Sequence, residues 1–318
     1  MVSLNIDSST LSLVAIMHLF FLISFLIFIS DAKAQRVETI RPLQTTRLHS
    51  TSGAGVGSML VAESAILNPA PVAFFQDTFV SYQKNNAKLG NSSPERVTNA
   101  DSFGQLNSSE SFYLFDNSSE LKGGLSYQYQ REDGRRRKRI TATASSLVYE
   151  NFSVGILYKY TEDTTYLNSG NKSRISNPLT LGFTYIYYPG FIIGGVWEDP
   201  TRTSRNEARA ILGAQANLTE KIVLIFDVGG NPTVDLNDSR IWRGALQFAL
   251  FSDVYVRGGK YQDRSLYLEG ESWGVAWIGP KLGAEFAMKT SRRLTDKSTQ
   301  LYEKERITDA SFAFHLRF

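Results

Sequence analysis

The strongest constraint on the fold is a two-residue alternation of apolar and polar side chains that recurs from about residue 72 onward. In 121–130, leucines and tyrosines hold the odd positions and lysine, serine and glutamines hold the even ones, apart from two glycines. This alternation is typical of β-strands with one apolar and one polar face. It recurs in segments of about ten residues, the length that a tilted strand needs to cross a bilayer.

The alternation predicts about 14 strands, an even number like that of bacterial outer-membrane barrels. They fall at roughly 72–83, 110–117, 121–130, 139–149, 152–161, 177–188, 191–198, 207–218, 221–229, 241–250, 254–261, 271–278, 281–290 and 307–318. Short connections alternate with longer polar ones such as 84–109, 131–138, 162–176 and 291–306. We therefore predict an all-β fold, a transmembrane antiparallel β-barrel with short periplasmic turns and longer external loops. A large soluble β-protein is the alternative.

Composition agrees with this fold and excludes several others. Aromatic residues make up 12% of the 318 residues, the net charge is +3 and there is no cysteine. A chain this apolar is not disordered, and one with so little basic excess is not a general nucleic-acid binder. The lack of cysteine excludes disulfides and thiolate metal sites. The mean hydropathy of −0.20 excludes a bundle of membrane helices but not a barrel.

Both ends of the chain carry export signals. The apolar stretch 11–30 is followed by Ala32 and Ala34, which predicts a signal peptide at 1–34. No Lys or Arg precedes this stretch, so translation from Met17 and an uncleaved anchor stay as alternatives. The final strand places its apolar residues on one face and ends on Phe318. It resembles the C-terminal signal of bacterial outer-membrane proteins, which implies the bacterial outer membrane and contact of this strand with the barrel-assembly machinery.

Residues 35–71 fit no strand and carry a second resemblance. Gly53, Gly55 and Gly57 lead through small residues to Asn68-Pro69-Ala70. This order resembles the start of FadL-type outer-membrane transporters of hydrophobic compounds. The resemblance implies a 14-stranded barrel over 72–318, a short luminal plug over 35–71, gating by movement around Asn68-Pro69, and passive uptake of fatty-acid-like solutes. The stretch before Asn68 and the loops are shorter than in that family, so the solute stays open. A periplasmic tail without a gating role is the alternative for this segment.

Charged residues at inward positions of the strands are the candidate lumen lining. On the lipid face each would cost about 2–4 kcal/mol at the midplane. The candidates are Lys159, Arg209, Asp227, Arg243, Arg257 and Glu285. A lumen that carries both positive and negative charges suits amphipathic solutes or a channel for small solutes. The alternative is that these charges only solvate the wall.

Two further motifs have structural or binding interpretations. The cationic run 135–139 is predicted to lie in the second external loop, either solvated or bound to lipopolysaccharide phosphates. Gly123-Gly124 in the third strand predicts a kink, since paired glycines mark bulges and the resemblance implies a lateral opening there.

No catalytic or metal chemistry is predicted. Ser311 and His315 both face the lumen, but four residues of strand separate them by about 13 Å, too far for a nucleophile and its base. We expect no enzyme activity and no cofactor or metal. The expected partners are outer-membrane lipid and lipopolysaccharide, the assembly machinery, and a small apolar or amphipathic solute. A general porin and a structural or adhesive barrel are the alternative functions.

Overall fold

The computed structural model describes residues 41–90, 107–118, 121–132, 135–167, 170–203, 208–293 and 306–318. The predicted signal peptide lies outside these residues. The described strands are β1 (Phe79–Gly90), β2 (Asn107–Asp116), β3 (Lys122–Glu132), β4 (Arg135–Tyr149), β5 (Phe152–Leu167), β6 (Gly170–Ser176), β7 (Leu179–Tyr188), β8 (Phe191–Glu198), β9 (Arg209–Asn217), β10 (Ile222–Gly230), β11 (Ile241–Ala249), β12 (Val254–Asp263), β13 (Leu268–Ile278), β14 (Leu282–Arg293) and β15 (Arg306–Arg317).

The strands form one closed antiparallel barrel. Each described strand pairs with the next one in sequence, except that β7 pairs with β5 instead of β6, and β1 pairs with β15 to close the barrel. β6 and β7 are two parts of one wall strand, because both pair with β5 in a single register. Pro178 separates them, since it has no N–H, although its carbonyl still accepts a bond of 3.1 Å from the Lys159 N–H. The wall therefore has 14 strands, as the sequence predicts.

The two faces of the wall differ as the alternation predicts. In β3, Ser126 and Gln128 point inward and are buried, whereas Leu125 and Tyr127 point outward and are 56% and 46% exposed. Outward apolar side chains occur on every side of the barrel. At the end with the short turns, exposed aromatics such as Tyr187, which is 66% exposed, cluster around the 189–190 turn.

Several predicted boundaries are wrong, and the first strand ends at Gly90 instead of residue 83. The first strand begins at Phe79 and not at residue 72, because the two prolines at 69 and 71 start a 3₁₀ helix over Ala70–Phe74. The cationic run 135–139 lies in β4 and not in a loop. A strand accepts it because inward Arg137 makes a two-pronged ion pair of 2.7 and 2.8 Å with Asp163, and inward Arg139 donates 2.8 Å to Thr161. The connections at 131–138 and 162–176 are correspondingly shorter than predicted.

The segment before β1 fills the barrel interior, and residues 41–75 are called the plug below. It contains α1 (Thr46–Ser50), whose N-terminus is capped by the Thr45 hydroxyl, and two 3₁₀ helices, Ala62–Ala65 and Ala70–Phe74. A further helix, α2 (Leu236–Ser239), lies between β10 and β11. In the described part of the chain, none of the helices has the length and apolar character needed to cross a bilayer.

Apolar contacts between plug and wall form the core. One cluster joins Leu48, Val56, Leu60 and Leu67 of the plug to Val196, Ile211 and Ile241 of the wall. A second joins Ala62, Ala65 and Val72 to Phe79, Tyr113 and Phe115. The plug is therefore an integral part of the folded barrel.

Candidate functional site between the plug and the wall

The glycine-rich stretch of the plug is bound by one buried carboxylate. Asp227 of β10 is fully buried, and its two oxygens accept from the backbone N–H groups of Gly55 at 2.9 Å and Val56 at 3.2 Å. Arg243, its cross-strand neighbour on β11, donates 3.0 Å to the Gly53 carbonyl. Opposite charges on two adjacent strands thus satisfy the backbone groups of this stretch that its local turn hydrogen bonds leave free.

Inward glycines of the wall let the plug backbone approach closely. A Cβ at Gly213 of β9 would lie 2.6 Å from the Gly57 nitrogen, and one at Gly57 would lie 2.5 Å from the Gly213 carbonyl. Similarly, a Cβ at Gly194 of β8 would lie 2.3 Å from the Val56 carbonyl oxygen. At these positions any larger residue would push the plug away from the wall. The sequence interpretation missed the wall glycines, although their inward parity could have indicated them.

Asn68-Pro69-Ala70 is a second anchor. The Asn68 amide nitrogen lies 2.8 Å from the Val56 carbonyl and 3.0 Å from the Phe183 carbonyl of β7. Its amide oxygen accepts 3.1 Å from the Ala70 N–H, and Ser153 of β5 donates 2.9 Å to the Ala70 carbonyl. Asn68 is buried, so this motif fixes the plug to the wall at strands β5 and β7.

The other predicted lining residues point inward and are buried in ion pairs. Lys159 lies 3.5 Å from Glu198, Arg209 lies 3.4 Å from Asp263, and Arg257 lies 2.8 Å from Glu285. Each of the six candidates is at most 7% exposed. These three ion pairs join strands that are not adjacent in the wall, β5 to β8, β9 to β12 and β12 to β14, so each pair spans at least one intervening strand on the inner face rather than coating an open bore.

Gly123 and Gly124 do not form a kink. The pairing of β3 with both β2 and β4 runs through them without a register shift. Position 124 requires a glycine for steric reasons, because a Cβ there would lie 2.3 Å from the buried ring of Phe115. The predicted lateral opening at this point is therefore wrong.

Ser311 and His315 have separate partners. Ser311 bonds to Thr46 of the plug at 2.6 Å, and the Nδ1 atom of His315 lies 2.8 Å from Ser81. Ser81 is 2% exposed, and the Phe79 ring stacks on His315 at 5.4 Å. Across the described ranges, no three potential ligand side chains group closely enough to hold a metal ion.

Two spaces inside the described barrel are small and lined by both polar and apolar residues. A cavity of about 100 Å³ lies between plug and wall near the end with the long connections, and one of about 60 Å³ lies at the short-turn end. A recess of about 910 Å³ opens on the outer face of β10 to β15 over Gly244 and Gly258. The described lumen is thus closed by the plug.

The fold and this plugged interior define the class, a closed 14-stranded antiparallel β-barrel with an internal N-terminal segment. Neither a protein-family model nor a curated protein matches the chain. The Ralstonia pickettii toluene transporter TbuX is a structural neighbour, with a TM-score of 0.61, 11% identity, and coverage of 87% of this chain and 99% of TbuX. The Pseudomonas putida toluene transporter TodX gives a TM-score of 0.59 at 9% identity, covering 85% of this chain and 96% of TodX. The likeness is one of fold.

Proposed function

We propose that this protein is a bacterial outer-membrane channel for passive uptake of small hydrophobic or amphipathic solutes, with the plug as its gate. The observation that carries the proposal is a barrel with an apolar outer face whose lumen is closed by a built-in plug. The structural neighbours support it, since they are described as a toluene transporter and a monoaromatic hydrocarbon channel. An open porin is disfavoured because the described lumen is filled.

The apolar outer face also supports the expected partners. Outward aromatics such as Trp273 and Phe314 are about half exposed, a cost in water that contact with outer-membrane lipid and lipopolysaccharide removes. The last strand, with Phe318 at its end, remains the proposed contact for the assembly machinery.

The contacts indicate which part of the plug moves. Residues 41–56 and 68–70 are tied to the wall by several buried hydrogen bonds. Among the described residues, one hydrogen bond joins 57–67 to a wall side chain; it runs from the Thr143 hydroxyl to the Ser64 carbonyl at 3.5 Å, a long distance for such a bond. We infer that passage moves 57–67 while Asn68-Pro69-Ala70 stays fixed. This revises the gating by Asn68-Pro69 that the resemblance implies.

Liposome flux tests the proposal. The purified protein is reconstituted, and entry of labelled toluene, a labelled fatty acid and a small sugar is compared with protein-free liposomes. Faster entry of either apolar solute, but not of the sugar, supports the channel and names its solute class. Rapid sugar entry would instead indicate a porin.

A structural or adhesive barrel is the second candidate. The packed interior favours it, because the two cavities described between plug and wall are small. Flux of none of the three solutes would favour this function over transport.

A further inference from the structure

The cationic run 135–139 is divided between the two faces of β4. Its inward residues, Arg137 and Arg139, have their partners on β5. Its outward residues, Arg136 and Lys138, lie on the opposite face, because side chains alternate along a strand. Half of the run therefore stabilises the interior of the barrel, and the other half lies on the outer side of the wall.

Two arginines lie directly opposite each other on this outer face. Arg131 of β3 is the cross-strand partner of Arg136, and Lys138 lies two residues further along β4 on the same face. Like charges that are directly opposed destabilise a strand pair. The arrangement therefore favours a negative group that both arginines can share.

The described charges around this pair do not balance. On the outer faces of β1 to β6 at this end, the described side chains include four cations and two carboxylates, namely Lys84, Arg131, Arg136, Lys138, Glu110 and Glu162. Glu110 attracts Arg131 but is already bound by Lys84 at 2.9 Å. Glu162 is the cross-strand partner of Lys138. Among the described residues, Arg131 and Arg136 have no carboxylate within ion-pair distance, so two positive charges remain.

Two tyrosines hold these arginine side chains in place. The Nε atom of Arg131 donates 2.7 Å to the Tyr129 hydroxyl, and the guanidinium carbon of Arg136 lies 5.8 Å from the centroid of the Tyr166 ring. Both contacts leave the terminal N–H groups free to point at a ligand. Such paired N–H groups match two oxygens of a phosphate group, which a lysine cannot do.

The arginine pair lies at the edge of the apolar band of the outer wall. Leu125, Tyr127 and Ile140 point outward and are exposed. Residues 121–131 of a strand tilted by about 40° span about 25 Å, which is the height of the apolar band in such barrels. Arg131 therefore lies where hydrocarbon ends and lipid head groups begin. This level belongs to the outer leaflet if the long connections are external, so the inference rests on the proposed function.

We propose that Arg131, Arg136 and Lys138 bind a phosphate group of lipopolysaccharide in the outer leaflet. The phosphate lies between the two arginines and removes their repulsion. The acyl chains of the same lipid cover the apolar band beside Tyr127 and Ile140. A free phosphate ion would leave that band uncovered, so a phosphorylated lipid is the ligand that matches both features.

Binding of lipid A to the folded, full-length protein in detergent tests the site. Lipid A that carries both phosphates is titrated against wild type and against the double variant Arg131→Gln with Arg136→Gln, and native mass spectrometry measures the occupancy. We expect an affinity at least about tenfold weaker in this variant, because two charge-assisted contacts are lost. The control is Lys260→Gln with Lys281→Gln, which removes two exposed lysines elsewhere on the barrel and keeps the wild-type affinity.

Heat-modifiable gel mobility checks that each variant is folded, and Arg136→Gln alone provides the same test if the double variant does not fold. Flux of toluene into liposomes without lipid A should be the same in wild type and variant, so a failure of the transport proposal is measured separately. Equal lipid A affinity in wild type and the arginine variants would overturn the inference. Equal binding of dephosphorylated lipid A would also overturn it, because the acyl chains alone would then bind, as would inorganic phosphate that binds as tightly as lipid A.

Discussion

Replacing Asp227 with alanine should release the glycine-rich stretch of the plug. Asp227 accepts two buried backbone bonds, from Gly55 at 2.9 Å and Val56 at 3.2 Å. Hydrogen bonds to charged groups contribute about 1.5–3 kcal/mol each, so the loss is at least about 3 kcal/mol. Arg243 also loses its negative neighbour, which adds to this cost. At 1.4 kcal/mol per factor of ten, the undocked population of this stretch should rise about 150-fold or more.

Limited trypsin digestion and planar-bilayer conductance measure this release. In Asp227→Ala, we expect faster cleavage at Arg47 of the plug and more frequent channel openings than in wild type. Asp253→Ala is the control, because Asp253 is an exposed carboxylate in the turn between β11 and β12. If Asp227→Ala resists trypsin and conducts like both references, the carboxylate does not hold the plug and the reasoning fails.

Three further changes test the packing between plug and wall. Gly213→Ala should lower the free energy of unfolding, measured in urea, by about 1–3 kcal/mol, because its Cβ would lie 2.6 Å from the plug backbone. Gly258→Ala is the control and should leave this free energy nearly unchanged, because the nearest atom to its Cβ would be 3.6 Å away. The pKa of His49 is about 4 in the folded state, compared with 6.5 for an ordinary histidine. Between pH 4 and pH 6.5, therefore, only the unfolded state binds a proton at this residue. Stability is then full above pH 6.5 and falls by up to about 3 kcal/mol toward pH 4, a loss that His49→Gln should abolish in urea titrations at several pH values. Arg257→Met should cost about 3–5 kcal/mol by removing the arginine partner of buried Glu285, and most of that should return in the double variant with Glu285→Leu. A double variant as unstable as the single one would contradict the last prediction.

Periodicity predicted the barrel well, for a physical reason. A strand in a membrane wall must alternate, because a charge on the lipid face costs several times more than one on the lumen face. The parity of Lys159, Arg209 and Asp227 therefore placed all three inward, and the structure agrees. The short turns were also predicted, since Pro189-Gly190 and Gly279-Pro280 are strong turn sequences.

The errors arose where partners distant in sequence decide the structure. The cationic run 135–139 looks like a loop until the acid and hydroxyl that face it on β5 are known. Gly124 suggested a bulge, whereas its real constraint is the ring of Phe115 on the neighbouring strand. The cavity between plug and wall was not predictable for the same reason: Arg41, Arg243 and Lys289 are far apart in the chain, and only the docked plug brings them together.

A reversible cross-link can separate the mobile part of the plug from its anchors. The chain has no cysteine, so introduced pairs react without competition. Ser64→Cys with Thr143→Cys joins the proposed mobile stretch to β4, at a point where the two residues already touch. If 57–67 must move, a short bis-maleimide or a disulfide here should abolish solute flux, and reduction of the disulfide should restore it. Ala70→Cys with Ser153→Cys is the matched control, because it links an anchor that we expect to stay in place. Equal loss of flux in both pairs would mean that the whole plug moves as one body, and unchanged flux in the first pair would exclude 57–67 as the gate.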